Sequence, residues 1–353
     1  MRRLYLHVGL HKTGTSSLQR LLLENRAALA AAGVGLAPFQ DPRNGSHHPI
    51  LAALERDGAE AVFARVAAAP GERLLLSAEE LSQEMNNRPD HLAALAAAAG
   101  RRFETHVVVF LRRQDFLKES VYAEAVKGWY CGSIEADDHY DFDHAARLAR
   151  LEAAFGAGRL HVALYRDPGP NDIVGDLFAA VGAPVDPGSL KPVPRTNVSM
   201  ARRKTLFLGQ MPKPEAARDD ATARVAAYFV ARVLAGSAAV ADDGGRFLLS
   251  PAGRHALVAA HLEGNRAIVA RHGLADPGGF LALPEPGEAW APPAPITAAE
   301  VAAVRRACLL ACLRRHRRNP LAAARLAAQV NALLRPMPRR LAAAAATAEV
   351  LAG

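Results

Sequence analysis

The chain has 353 residues, half of them apolar and 22% charged, with a formal net charge of +8. That length can bury a large core in one or two domains, and no apolar run reaches membrane-spanning length. The segment after Arg2 and Arg3 is too short for a signal peptide, and three cysteines make no disulfide framework, so a globular, reduced, cytoplasmic protein is expected. The charge is uneven: residues 301–353 hold ten arginines against one acid, Glu349, which makes them +9 and leaves the rest of the chain near −1.

The apolar run Leu4–Val8 predicts a first strand, followed by a glycine-bracketed loop and a helix over Leu18–Glu24. Gly33–Leu36 reads as a short strand, His47–Ala69 as helical, and Arg73–Ser77 as a buried strand. Pro89–Ala99 predicts a helix ended by Gly100, and Thr105–Leu111 is the strongest strand pattern of the chain. Helices over Asp115–Val126 and Phe142–Phe155, a strand over Arg159–Leu164 and a helix over Asn171–Val181 complete the series. Continuous apolar runs without alternation suit strands covered on both faces, so the fold class is α/β with a doubly wound parallel sheet. After the proline-rich connector Pro184–Pro194 the pattern is helical, with a turn at Asp242–Gly245, a helix over Pro251–His272 and an extended Pro284–Pro295. The expected organisation is an α/β core over 1–195, a helical cover of the same domain over 196–295, and a basic helical appendage over 296–353.

Gly9 and Gly14 bracket four residues, the spacing of the phosphate loop G-x-x-x-x-G-K-[ST]. Thr15 stands where that pattern has lysine, and the loop's own lysine is Lys12. Nucleoside triphosphate hydrolysis would lose its main cation here, and the best strand ends in Arg112-Arg113 rather than in an acidic metal ligand. Arg112 at the strand end and Ser120, eight residues on, can supply a planar fork and a compact hydroxyl to a phosphate.

The string HKTGTSSLQ resembles the 5′-phosphosulfate loop of sulfotransferases that use 3′-phosphoadenosine-5′-phosphosulfate (PAPS), and LRRQDFLKESVY resembles that family's 3′-phosphate motif. Tyr165-Arg166-Asp167 is similar to the family's next acidic turn, and Asn197-Val198-Ser199 to a segment of many bacterial members. Gln114 stands where many members carry proline. The resemblance covers about residues 4–200 well and 200–290 more weakly, and implies a P-loop NTPase-like fold of the sulfotransferase type with a helical C-terminal region. It implies that His11, Lys12, Thr13, Gly14, Thr15, Ser16 and Ser17 line the 5′-phosphosulfate site, and that Arg112 and Ser120 bind the 3′-phosphate. Lys12 would stabilise charge on the departing oxygen, no metal would be needed, and the acceptor would be a hydroxyl or amine of a carbohydrate, glycolipid or small molecule.

A general base remains open among His48, Glu79, Glu80 and His47, with His48 and Glu79 leading. Glu79 and Glu80 follow a strand at the sheet's carboxyl edge, yet first-turn acids also stabilise helix N-termini. His47 and His48 follow the turn Asn44-Gly45-Ser46 and would serve equally as a solvated cap; His11 is expected to shape the loop. Trp129-Tyr130 reads as an acceptor platform or as core. Cys308 and Cys312, one helical turn apart, are expected as small buried residues. The arginines of 301–353 lie among Leu and Ala, which fits contact with an anionic membrane or polyanion as well as a solvated helix face; without interleaved aromatics, nucleic acid is not expected. Two rivals stay in view: a P-loop kinase or NTPase with an altered loop, and a catalytically silent nucleotide-binding module.

Overall fold

A computed structural model describes residues 1–167, 169, 171–193, 200–221, 223–275 and 279–343. The chain divides into two compact units, each assembled from separate stretches of sequence. Unit 1 comprises Met1–Leu117, Phe142–Val198 and Val258–Leu283, and unit 2 comprises Lys118–Asp141, Ser199–Leu257 and Pro284–Gly353. The segment Asn197-Val198-Ser199 lies outside the described residues.

In chain order unit 1 contains β1 (Arg2–Gly9), α1 (Thr15–Glu24), α2 (Arg26–Ala31), β2 (Val34–Leu36), α3 (Pro49–Ala67), β3 (Arg73–Ser77), α4 (Glu80–Asn87), α5 (Pro89–Gly100) and β4 (Phe103–Arg112). Next comes α6 (Gln114–Gly128), whose residues from Lys118 on belong to unit 2, then α7 (His144–Phe155), β5 (Leu160–Tyr165) and α8 (Ile173–Val181). The five strands form one parallel sheet in the order β2-β3-β1-β4-β5. On one face Tyr5, Leu75, Val108 and Phe110 pack with Leu18, Leu22 and Leu29 of α1 and α2 and with Leu177 and Phe178 of α8. The alternate residues Leu4, Leu6, Leu74, Leu76, Val107 and Val109 are also wholly buried, and α4, α5 and α7 contact β1 and β4. Burial on both faces is why these strands read as unbroken apolar runs. The doubly wound parallel α/β sheet of P-loop type is therefore the fold, with β1 at its centre and the strand order reversing beside it.

Most elements lie where the apolar pattern puts them. The expected helix over His47–Ala69 is α3, broken at Gly58 (φ 77°, ψ 162°). α1 starts at Thr15, three residues before the apolar pattern begins, because Gly14 in the left-handed region (φ 81°, ψ 9°) turns the chain into it.

Unit 2 holds the rest of α6 and then α9 (Arg202–Gln210), α10 (Val225–Ala235), the first part of α11 (Pro251–His272), α12 (Ala298–Arg315) and α13 (Pro320–Leu334). Among the described residues after 296, Val301, Val304, Cys308, Cys312, Val330 and Leu334 share one core with Phe207 and Leu208 of α9 and Val230 and Leu234 of α10. The arginines obscured this because they occupy the outer faces of helices whose inner faces are apolar. Cys308 and Cys312 are free thiols buried in that core, where burial pushes Cys308 up to about 12. Thr297 and Glu300 form a reciprocal capping box at the start of α12. Arg202 donates to the carbonyl oxygens of Phe247 and Ala291, and Arg203 to those of Ala241, Ala294 and Pro295, so two buried cations hold the extended Pro284–Pro295 stretch. Among the described residues no helix is long and apolar enough to cross a membrane.

Candidate functional site

The phosphate-type loop leaves the carboxyl end of β1. The β1–β4 pairing shifts register between His7 and Gly9, and the Leu10 N–H then donates to the Phe110 carbonyl at 3.0 Å. Gly9 has φ +86°, and a Cβ there would lie 2.8 Å from Glu79 Cβ; only glycine lets β1 leave the sheet against that residue. At the far end a Cβ on Gly14 would lie 2.8 Å from Ile173 Cδ1. Between them Lys12 takes the left-handed conformation, φ 64°, which a non-glycine residue occupies at a cost of about 1–2 kcal/mol. Arg112 offsets that cost: its Nη1 donates to the Lys12 carbonyl at 2.9 Å, while its Nε pairs with Asp167 and its guanidinium lies 5.3 Å from the Tyr165 ring centroid. The start of α1 has no side-chain cap, so the N-terminal end of its dipole faces the loop.

Thr13 commits its hydroxyl within the loop. Its side chain is buried and Oγ1 donates to the Leu10 carbonyl at 2.7 Å, so the hydroxyl closes the loop on itself and only its backbone remains for an anion. Thr15 is likewise buried, whereas Ser16 is exposed and Ser17 half-buried at the mouth of α1. His11 is half-buried beside Lys12; burial lowers its pKa against the pull of Glu79 and Glu80, with His48 and Arg147 adding to the lowering.

Of the base candidates, the structure brings together His48 and Glu79, whose Nε2 and Oε2 lie 3.0 Å apart. The loop carrying His48 is pressed onto α1: a Cβ on Gly45 would lie 2.1 Å from the Gln19 carbonyl oxygen, and the His47 N–H donates to the Ser77 carbonyl at 2.8 Å. His47 faces inward instead. Its Nδ1 accepts from the Ser77 N–H at 3.2 Å and its Nε2 donates to the Ala37 carbonyl at 3.0 Å, and burial lowers its pKa to about 4. It is a neutral core histidine. Glu80 is exposed at the start of α4.

Burial alone would raise the Glu79 pKa, but hydrogen bonding and charge from His48, together with Gln19, outweigh it and hold the carboxyl at about 2. Burial likewise works against a charged His48, yet Glu79, Glu80 and Asp41 raise its pKa above the ordinary value. Behind the pair runs a chain of buried polar groups. Gln19 Nε2 donates to Glu79 at 2.5 Å and to Ser77 Oγ at 3.2 Å, and Ser77 Oγ lies 2.8 Å from His7 Nδ1. Sequence reading missed Gln19. Its signal was position: with Thr15, Leu18 and Leu22 it lies on the buried face of the first helix.

The residues after β4 separate. Arg113 turns away from the loop to Asp115 (2.7 Å) and the Gly279 carbonyl (3.0 Å). Gln114 is fully buried and exchanges two 2.9 Å hydrogen bonds with Asn265, an arrangement that a proline could not make. His144 Nε2 donates to the Arg112 carbonyl at 2.9 Å. Ser120 lies on the part of α6 that belongs to unit 2, and Trp129 and Tyr130 follow the end of α6 in the same unit. The Trp129 ring is bracketed by His139 (4.9 Å, edge-on) and the Arg218 guanidinium (5.7 Å), and Tyr130 packs against the unit 2 core. Among the described residues no three His, Cys, Asp or Glu side chains are grouped to hold a metal ion.

Comparison with known proteins returned no matching family model and no matching curated protein. A solved structure described as a sulfotransferase from Alicyclobacillus acidocaldarius matches with 16% identity and a TM-score of 0.33, covering 59% of this chain and 90% of that one.

Proposed function

We propose that the chain is a sulfotransferase that moves a sulfuryl group from PAPS to a hydroxyl or amine of a carbohydrate, glycolipid or small-molecule acceptor. The observation that carries this reading is the meeting at Gly9 of two devices: a lysine-bearing anion loop, and a histidine–carboxylate pair whose glutamate lies with its Cα and Cβ against the loop's first residue. PAPS supplies the activated sulfuryl group and leaves as adenosine 3′,5′-bisphosphate. The residues fit an anionic donor in the loop, since the loop carries Lys12 in a left-handed turn and leads directly into α1, whose N-terminus has no side-chain cap.

In this reading Lys12 neutralises charge that grows on the bridging oxygen as the sulfur–oxygen bond breaks. His48 takes the acceptor's proton as the acceptor oxygen or nitrogen bonds to sulfur. With Nε2 turned to Glu79, Nδ1 is the nitrogen that accepts it. Glu79, ionised at every working pH, orients the ring and stabilises its charged form, and so is a positioning residue. Arg112 acts first as the brace of the loop, and a 3′-phosphate would share its guanidinium with Asp167.

Thermal stabilisation by adenosine 3′,5′-bisphosphate, AMP and ATP with Mg²⁺ tests the donor class. The expected result is a clear preference for the bisphosphate without metal. Preference for ATP with Mg²⁺ would transfer the chain to the kinase class, and bisphosphate binding without transfer of labelled sulfate to any of a panel of acceptors would make it a silent module. Ser120→Ala, read by loss of the bisphosphate-over-AMP preference, tests that residue alone.

A further inference from the structure

The outer surface of α12 and the start of α13 is chemically unlike the rest of the described chain. Apart from the N-terminal Met1, the three most exposed large apolar residues are all here: Leu310 at 53%, Leu313 at 61% and Leu321 at 73%. α12 buries Val301, Val304, Cys308 and Cys312. Arg306, Leu310 and Leu313 recur at intervals of four and three on the opposite face, and Arg317, in the turn just past the helix, continues the stripe. Arg314, Arg315 and Arg318 extend that stripe through the turn to α13, where Leu321 and Arg325 follow one helical turn apart, and all are exposed. Among the described residues none of Arg306, Arg314, Arg315, Arg317, Arg318 and Arg325 forms an ion pair with a carboxylate.

Exposed leucines cost solubility and exposed arginines restore it, so a surface that keeps both, interleaved and without acids, is matched to a partner that is anionic at its surface and apolar beneath. A membrane interface has that layering: leucines enter the acyl boundary while guanidinium groups remain at the phosphates. A soluble polyanion would use the arginines and leave the leucines idle. We propose that this face, Arg306 to Arg325, docks the protein peripherally on anionic lipid. The proposal stands on unit 2 alone and does not depend on the sulfuryl-transfer reading.

Co-sedimentation of the full chain with vesicles tests it. Binding is expected to vesicles containing phosphatidylserine, to be weak to phosphatidylcholine alone, and to fade at high salt. Replacing Arg306, Arg314, Arg317 and Arg318 by Gln should weaken binding by about fivefold per arginine removed, the worth of one basic residue at an anionic surface. The variant Leu310→Ser/Leu313→Ser/Leu321→Ser should weaken it by at least about tenfold with the arginines intact, since each leucine loses its apolar insertion. Both variants change exposed side chains, and an unchanged thermal midpoint verifies folding. Vesicle binding that survives the leucine variant, or binding confined to heparin, would overturn the proposal in favour of a polyanion site. Concentration-dependent dimerisation abolished by the leucine variant, without vesicle binding, would overturn it in favour of a contact between copies.

Discussion

Both units bury ionisable groups, but they use them in opposite ways. In unit 2 each buried arginine is saturated locally. Arg202 has Asp243 at 2.8 Å and two carbonyls, Arg203 has Glu300 at 2.9 Å and three carbonyls, and Arg254 has Glu288 at 3.1 Å and lies 3.7 Å from the Phe247 ring centroid. These groups are staples, and their chemistry ends with their partners. In unit 1 one set of buried polar groups converges on one end of the sheet, from His7 through Ser77 and Gln19 to Glu79, and the last member, His48, reaches partial exposure. Burial of charge is therefore no guide to function by itself. What distinguishes unit 1 is a polar chain with one end open.

The sharpest test of that contrast is Lys12→Ala. It should lower sulfuryl-transfer turnover by about 10²–10³, the worth of a transition-state charge stabiliser, while calorimetric affinity for adenosine 3′,5′-bisphosphate changes far less. Equal losses in both would reduce Lys12 to a binding residue. Next in size is His48→Gln, which should cost about 10²-fold in turnover. In the parent protein turnover should rise with pH through an apparent pKa above the ordinary histidine value of 6.5. Glu79→Gln should move that limb to lower pH, because burial then dominates His48; an unmoved limb would remove the pair from the mechanism.

Arg203→Met should destabilise unit 2 by about 3–5 kcal/mol, seen in the thermal midpoint, by leaving Glu300 without its cation and the Ala241, Ala294 and Pro295 carbonyls without their donor. Bisphosphate affinity should be unaffected, and a matching loss would dissolve the contrast between the units. The smallest effect concerns stability against pH. His7 and His47, held neutral with pKa values of about 4, lose stability as pH falls from 6.5 to about 4, and Glu79 loses its share as pH falls from 4.5 to about 2. The raised His48 contribution is complete below 6.5 and is lost as pH climbs through its folded value. A thermal midpoint plotted against pH should therefore peak near 6.5, and His47→Gln should flatten its acid side.

The sheet was legible in the sequence because strands buried on both faces announce themselves as unbroken apolar runs, and the loop because Gly9 and Gly14 bracket it. For the neighbouring histidines the sequence offered a ranking, His48 before His47, without a physical ground for it. His47 and His48 share composition and turn, and only the pairing of His47 with Ser77 and Ala37 sends one inward and the other to Glu79. Arg112 was found for its place at a strand end, but its grip on the Lys12 carbonyl joins residues 100 apart, which no local pattern encodes. The short helices α2 and α4 lack a long apolar period, and the two units alternate along the chain, so neither leaves a compositional boundary.

That grip has a consequence for synthesis. The loop at residues 9–17 is made early, but the arginine that holds Lys12 in its left-handed turn comes a hundred residues later, and the acid that fixes the arginine comes 55 residues after that. A nascent chain emerging from the ribosome thus carries the loop sequence well before it can carry the loop shape, since contacts of such sequence separation form late. The braced shape of the loop should therefore arrive only with the closing of β5, and a stalled or truncated product ending before Asp167 would lack it.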